Sequence, residues 1–541
     1  MRRVFLAIVL TMVGAATGLS QSVSAYQSDD KQFINGDNIF YVYVKAGEKL
    51  SASFLRSIHS ESGGVINPPQ VDVTITIDAP GLKQQKCVAK ANVAVGKGCI
   101  FKQQTAAKTG IWRVQFVTGK GAKIFTEGFP DVRWGKNFFS WNITVNGLKA
   151  DIQQGRLWTE RYSFRQPIGQ ESTGDFEHFY VSEDGYIYKA IEYGYNGQVS
   201  MLSADSIGIR KMDECVSVYQ SIEVDNDEFS PAFGACGNTY KLFFEEPAGD
   251  LPQKATRWDG TEDWVRPNIE RPSLSELHFT SNKSADQQSG TISYFLHNFI
   301  GQYDIKIDVD NDGSFEGQSD VTLHQQMKSL SDGLQHVYFQ GVDRRGQVIP
   351  PSQKIGIKVV ITKVAEIHFV ATDVEGRQGL EVTRLNGDNA PTNRLCWNDT
   401  ELSTIKYSRF ATDTADGRSC PESRSGVHGW QYNSKSWGNA RYIDDWIYAT
   451  AKLDGDNQIV YPEDKVAVAE KSTTNWLLIG GVAVGLVAAV AGVVVVLRHL
   501  GKSKTPDVMP SAPPTPPTPP GIQPIGSQDP TALPPQDQDR Y

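Results

Sequence analysis

The sequence predicts a mainly β protein: tandem antiparallel β-sandwich modules, Ig-like or jelly-roll-like, plus one transmembrane helix. Three observations carry that expectation. Between residues 26 and 470 the chain consists of short runs rich in Val, Ile, Tyr, Phe and Thr, cut by Gly, Asn, Asp and Pro, with almost no helical periodicity. All six cysteines fall inside that stretch. One apolar run, Trp476 to Leu497, contains no charged residue. With 541 residues and a hydrophobic fraction of 39%, the chain suffices for several domains and is neither wholly disordered nor collagen-like. Its formal net charge of -9 argues against nucleic acid as a partner, because neutralising phosphates takes clustered cations.

Taken in order, residues 1–25 read as a secretory signal peptide. Arg2 and Arg3 precede the apolar run Val4 to Val13, and Val23-Ser24-Ala25 is a small-residue exit, making Tyr26 the first mature residue. The Arg-Arg-x-Phe-Leu start also resembles a twin-arginine signal, although so hydrophobic a run suits general secretion. It is too short to anchor in a bilayer.

Four β modules are expected next. The first, 26–146, contains Phe40 to Val44, Val71 to Ile77, Ile111 to Val117 and Phe138 to Val145 as strands. The second, 147–268, contains Phe179 to Val181, Tyr186 to Ala190 and Tyr240 to Phe244, with turn signals at Glu183-Asp184-Gly185 and Tyr195-Asn196-Gly197. A Pro-marked boundary (Pro267, Pro272) leads to the third, 271–364, an Ig-like module with Ile355 to Ile361 as its last strand. The fourth, 365–460, is followed by a stalk, 461–475.

The third module carries the sharpest motif. In Asp308-Val-Asp310-Asn-Asp312-Gly313-Ser314-Phe-Glu316, carboxylates alternate and Gly sits sixth, the pattern that wraps a hard, oxygen-seeking cation. Structural Ca²⁺ is the expected cofactor. Asp308, Asp310 and Asp312 would bind by their side chains, Ser314 by its carbonyl, and Glu316 directly or through water. Ser319 stands where the bidentate Glu of a helical calcium loop would be, and the adjacent Asp320 takes that role. The flanks are strand-like, which excludes a helix–loop–helix sensor.

Cysteine spacing suggests three neighbour disulfides in an exported body, Cys87–Cys99, Cys215–Cys236 and Cys396–Cys420. The rival, a zinc site, lacks any CxxC or His pair at ligand spacing. No HExxH, GxSxG or GxxxxGK[ST] occurs, so the expectation is a protein that is not an enzyme. Asp444 and Asp445, between Tyr442 and Trp446, would point to opposite faces of a strand and make a poor acid–base pair. Trp397, Trp430, Trp437 and Trp446 are either core or a platform for sugar stacking. Asn142, Asn282 and Asn398 fit the glycosylation pattern.

Residues 476–497 reach the ~20 residues that span a hydrocarbon core. Arg498, Lys502 and Lys504 follow at once, which keeps the C-terminus cytoplasmic and the body outside. The lipid bilayer is thus one expected partner. Gly481, Gly485 and Ala489 share a helix face, a small-residue pattern that supports a helix dimer. The tail, 498–541, is Pro-rich and expected to be extended and disordered.

Several resemblances follow from these motifs. The strand order of 26–146 is similar to β-sandwich modules beside bacterial secreted peptidases. Gly341-Val342-Asp343-Arg344-Arg345-Gly346 resembles the hairpin of bacterial Ig-like modules. Arg384-Leu385-Asn386-Gly387, Cys396-Trp397-Asn398-Asp399-Thr400 and Gly429-Trp430 with Ile443-Asp444-Asp445-Trp446 resemble terminal modules of large bacterial surface proteins. Together they resemble adhesin-like, multi-module cell-surface proteins with a C-terminal membrane anchor. That resemblance implies display of a β ectodomain for adhesion, envelope structure or binding of an extracellular glycan, envelope polymer or protein. The alternatives are a tethered carbohydrate-active enzyme and a single-pass receptor signalling through the Pro-rich tail.

Overall fold

Alternation of buried and exposed side chains fixes how the longest strands face. In Lys49–Arg56 the buried residues are Leu50, Ala52, Phe54 and Arg56. In Phe139–Asn146 they are Phe139, Trp141, Ile143 and Val145. The strands pair antiparallel with Leu50 opposite Val145, Ala52 opposite Ile143 and Phe54 opposite Trp141, so both apolar sets point the same way. This computed structural model describes residues 33–34, 38–56, 72–118, 139–165, 175–193, 199–372, 379–402, 415–423, 428 and 441–462, with short breaks at 92, 95, 284–285, 331–332, 452 and 454–456.

The protein is mainly β, and among the described residues the named strands pair antiparallel throughout, with one isolated parallel bridge between Ile111 and Arg257. Two large sheets face each other. The ten-stranded sheet runs Gly98–Thr105, Lys49–Arg56, Phe139–Asn146, Phe33–Ile34, Arg161–Arg165, Val199–Asp205, Lys363–Ala371, Arg441–Thr450 and Ile222–Glu223, with Cys396–Trp397 also pairing the strand Arg441–Thr450. The nine-stranded sheet runs Gln85–Ala89, Val73–Asp78, Gly110–Thr118, Ile39–Val44, Leu157–Thr159, Lys241–Phe243, Phe176–Val181, Ile187–Tyr193 and Gly379–Arg384. Aromatic pairs bridge them. Phe40 stacks on Trp141 at 4.6 Å, Phe54 meets Phe116 edge-on at 5.2 Å, and Tyr180 meets Phe369 at 5.2 Å.

The strands expected to form the first, second and fourth modules are therefore shared between two continuous sheets. The seam lies where Ile39–Val44 pairs with Leu157–Thr159 and where Phe33–Ile34 bridges Phe139–Asn146 and Arg161–Arg165. Boundaries at 147 and 365 cut across these sheets rather than between sandwiches. The reason is that a period of two fixes which face a strand buries but not which strand it pairs with, and a long sheet hides edges that separate modules would expose.

Residues 273–360 build a smaller sandwich. Ser273–Ser281, Gly290–His297 and Leu334–Phe339 form one sheet; Val321–Met327, Gly301–Asp308, Ile355–Val360 and Gln458–Tyr461 form the other. Its final strand comes from the far end of the chain, with Ile355 opposite Tyr461 and Ile357 opposite Ile459. This corrects the expected boundaries, which gave 458–460 to the fourth module and Tyr461 to the stalk. The smaller sandwich is an insertion between the hairpin ending at Trp264 and the strand Lys363–Ala371.

Outer layers bury the large sheets' second faces. Leu251, Ala255, Trp264 and Val265 cover Tyr41, Tyr43, Trp158 and Phe243 of the nine-stranded sheet. Ile209, Val218, Phe229 and Phe233 cover Val370 and Tyr442 of the ten-stranded one.

All three expected disulfides are formed. Cys87–Cys99 ties together the edge strands Gln85–Ala89 and Gly98–Thr105, one from each large sheet. Cys215–Cys236 pins the outer layer, and Cys396–Cys420 holds Cys396–Trp397 to the 415–421 loop. Among the described residues no helix is present, so none is long and apolar enough to cross a membrane. The expected signal peptide, residues 463–475 of the stalk, the run 476–497 with Gly481, Gly485 and Ala489, and the tail 498–541 lie outside the described residues.

Candidate functional site

The Asp-rich loop leaves the strand Gly301–Asp308 and returns into Val321–Met327. Gly313 adopts a φ of +88° there, a conformation glycine takes without a steric penalty. Asp308 is almost fully buried, and its carboxylate accepts from the backbone N–H of Asp312 (3.3 Å) and Gly313 (2.9 Å). Burial pushes that carboxyl up. Asp308, Asp310 and Asp312 each offer an oxygen within 4.8 Å of the others. The remaining expected ligands have other work. Asp320 accepts from Val309 N (3.0 Å) and Gly317 N (2.6 Å), stapling the loop shut. Glu316 pairs with Lys306 on the flanking strand, which draws its carboxyl down. The Ser314 hydroxyl accepts from Glu316 N at 3.3 Å, and Ser314 N donates to Asp312 Oδ1 at 2.7 Å. The structure thus brings Asp308, Asp310 and Asp312 together, while Ser314, Glu316 and Asp320 make the other contacts just described.

A second polar constellation is buried in the large sandwich and centres on the strand Arg441–Thr450. Asp444 and Asp445 point to opposite faces, as strand geometry requires. Each meets a histidine with no exposed surface. On the outer face, Asp444 Oδ1 lies 2.8 Å from His368 Nδ1, while Asp444 Oδ2 accepts from Ile209 N at 3.1 Å. His368 Nε2 faces Glu366 at 3.8 Å. Glu366 Oε1 accepts from the Tyr219 hydroxyl (2.9 Å) and Lys363 Nζ (3.2 Å). Burial works against charge on His368, but the Asp444 and Glu366 carboxylates hold its pKa up at about 9. Gly208 is required beside it. Its φ is +67°, and a Cβ there would come within 2.6 Å of the Asp444 carboxylate and His368 Nδ1.

On the inner face, Asp445 hydrogen-bonds His428 Nδ1, and His428 Nε2 lies 2.9 Å from Asp399 Oδ2. Burial again opposes the imidazolium, and Asp445 and Asp399 hold it up at about 9. Trp397 stacks on His428 at 4.5 Å, and Trp446 on His368 at 5.7 Å. Both tryptophans are buried, so they are core rather than a sugar platform; Trp430 and Trp437 lie outside the described residues. Gly417 is what lets Trp397 lie flat, since a Cβ there would sit 2.1 Å from the indole. Asn398 is buried as well, which makes it a poor glycan acceptor. Sequence reasoning missed these clusters because single histidines carry no spacing signal. The Asp444-Asp445 pair was the one visible trace.

Among the described residues, open clefts lie on both sandwiches: one of about 760 Å³ on the smaller sandwich, beside Glu316 and Asp320, and two beyond the buried strand. One, of about 610 Å³, is walled by the end of that same strand and by Arg271, Arg384, Arg394 and Arg418. The other, of about 390 Å³, is acidic, with Glu183, Asp184, Glu262 and Asp263 around Trp264. Comparison with family models, curated proteins and solved structures finds no match, so the chemistry is read from the geometry alone.

Proposed function

We propose that the chain is a membrane-anchored cell-surface protein that presents a β-sandwich ectodomain for ligand binding, in adhesion or in building the envelope. The observation that carries this reading is the pairing of all six cysteines, each with its neighbour in sequence. Such bonds form and persist outside the reducing cytosol. The apolar run 476–497 with its cationic flank supplies the anchor, and the leader 1–25 the route of export. The large sandwich and its inserted smaller partner give a β-rich body suited to display. Ca²⁺ held by Asp308, Asp310 and Asp312 would stiffen the hairpin between two strands of the smaller sandwich.

Protease added to intact cells tests the topology. Antibodies against 26–460 should lose their signal while a tag at the C-terminus stays protected. Protection of the body with loss of the tag would overturn the proposal, as would free thiols at any of the six positions in a non-reduced peptide map.

A further inference from the structure

The arginine-walled cleft gathers cation in an acidic chain. Four pieces of chain meet there: the connection 269–272, the loop after the strand Gly379–Arg384, the Cys396–Cys420 disulfide with its neighbours, and residues 448–451. They contribute four guanidinium groups against two lining carboxylates, Glu270 and Asp388. We propose that this cleft binds a carboxylated saccharide.

The arginines are unequally engaged. Arg384 is 1% exposed; it donates to the carbonyls of Asn386 and Asp388 (2.9 Å for the latter), and its buried Nε has no hydrogen-bond partner. Arg394 is exposed, reaches only the Cys420 carbonyl at 3.4 Å, and has no ion pair among the described residues. Arg271 meets Asp388 at 3.4 Å with both side chains mostly in solvent, a pairing that a ligand displaces at little cost. Arg418 grips Asp416 with two donors, Nε at 2.8 Å and Nη2 at 2.6 Å. That fork is the geometry a planar guanidinium offers a carboxylate, two bonds at a time, and a ligand carboxylate would compete with Asp416 for it. A phosphate dianion fits less well, because Glu270 and Asp388 would repel its second charge.

The rest of the lining suits a sugar body. Asn389, Thr392, Ser419 and Thr450 offer amide and hydroxyl groups, and Tyr448 and Pro272 offer apolar surface. A volume of about 610 Å³ lies within the range of small-molecule sites. The proposal names a ligand for the surface role above and rests on that reading only for where the ligand is met.

Calorimetric titration of the full chain in detergent with trigalacturonate, maltotriose, triglutamate and inorganic phosphate tests it. Trigalacturonate should bind saturably and more weakly as salt rises, with no saturation by the neutral sugar. Arg394→Gln and Arg418→Gln sit at the surface; each should weaken binding about tenfold without moving the melting temperature, and the double variant more. Absence of saturable uronate binding overturns the proposal. So does unchanged affinity in the double variant, or binding of triglutamate or phosphate in place of the uronate. Surface display is read separately by the protease experiment and would stand if the titration failed.

Discussion

Two groups of aspartates do opposite things in this molecule. In the 308–316 loop the acids lie close in sequence and mostly in solvent, and among the described residues only Glu316 forms a salt bridge, to Lys306. On the strand Arg441–Thr450 the acids are adjacent in sequence but point apart, each sealed against a histidine from a remote segment. The comparison teaches that carboxylates which share a few residues of chain can crowd together while still solvated, whereas carboxylates shared between strands make part of the core. A solvated acid repels its neighbours weakly. A buried one demands a partner, because an unpaired charge inside a protein is far costlier than one at the surface.

The largest expected effect breaks the buried pair. Asp445→Ala leaves His428 charged and sealed beside Asp399 alone, and removing one partner of a buried ion pair costs about 3–5 kcal/mol. Denaturant unfolding of the full chain should show that loss, while Asp310→Ala in calcium-free buffer should change the curve no more than an ordinary surface substitution. Equal curves for the two variants would erase the distinction between the regions.

A smaller effect comes from pH. His368 and His428 have folded-state pKa values of about 9, above the ordinary value near 6.5. Their contribution is complete below about pH 6.5 and is lost as pH rises through about 9, with an upper size on the order of 3 kcal/mol for each. The melting temperature should therefore fall between these limits. His368→Gln and His428→Gln should each be less stable at pH 6 and show a shallower fall. A flat profile up to pH 9.5 in the parent protein would contradict the charged-histidine assignment.

The smallest effect sharpens the comparison from the other side. A calcium site of ~10⁻⁴–10⁻³ M affinity, given ten times its dissociation constant of Ca²⁺, gains roughly 1.4 kcal/mol. The melting temperature should rise by a few degrees over that in chelator, and Asp310→Ala should abolish the rise. Identical curves with chelator and with Ca²⁺ would leave the loop an acidic turn. Because Glu316 already pairs with Lys306, Lys306→Ala should tighten calcium binding if Glu316 swings in and leave it unchanged if Glu316 takes no part.

The strands were legible because a two-residue period survives in Leu50, Ala52 and Phe54 and in Trp141, Ile143 and Val145. Neighbour disulfides were legible because short loops close readily. Pairing order was not, and so three expected modules became two shared sheets with the Gln458–Tyr461 strand returning to the inserted sandwich. The arginine cleft was hidden for the same reason. Arg271, Arg384, Arg394 and Arg418 are spread over 148 positions as numbered, and nothing local marks them as neighbours.

The sequence by itself determined what each short stretch does: which residues alternate into a core, which cysteines find each other, and where aspartates crowd one turn. Those outcomes depend on contacts within a few residues, which spacing encodes. Only the tertiary structure decided which strands share a sheet, that His368 and His428 face Asp444 and Asp445, and that four distant arginines line one cleft. These depend on which remote surfaces exclude water together, and that is settled by the packing of the whole chain.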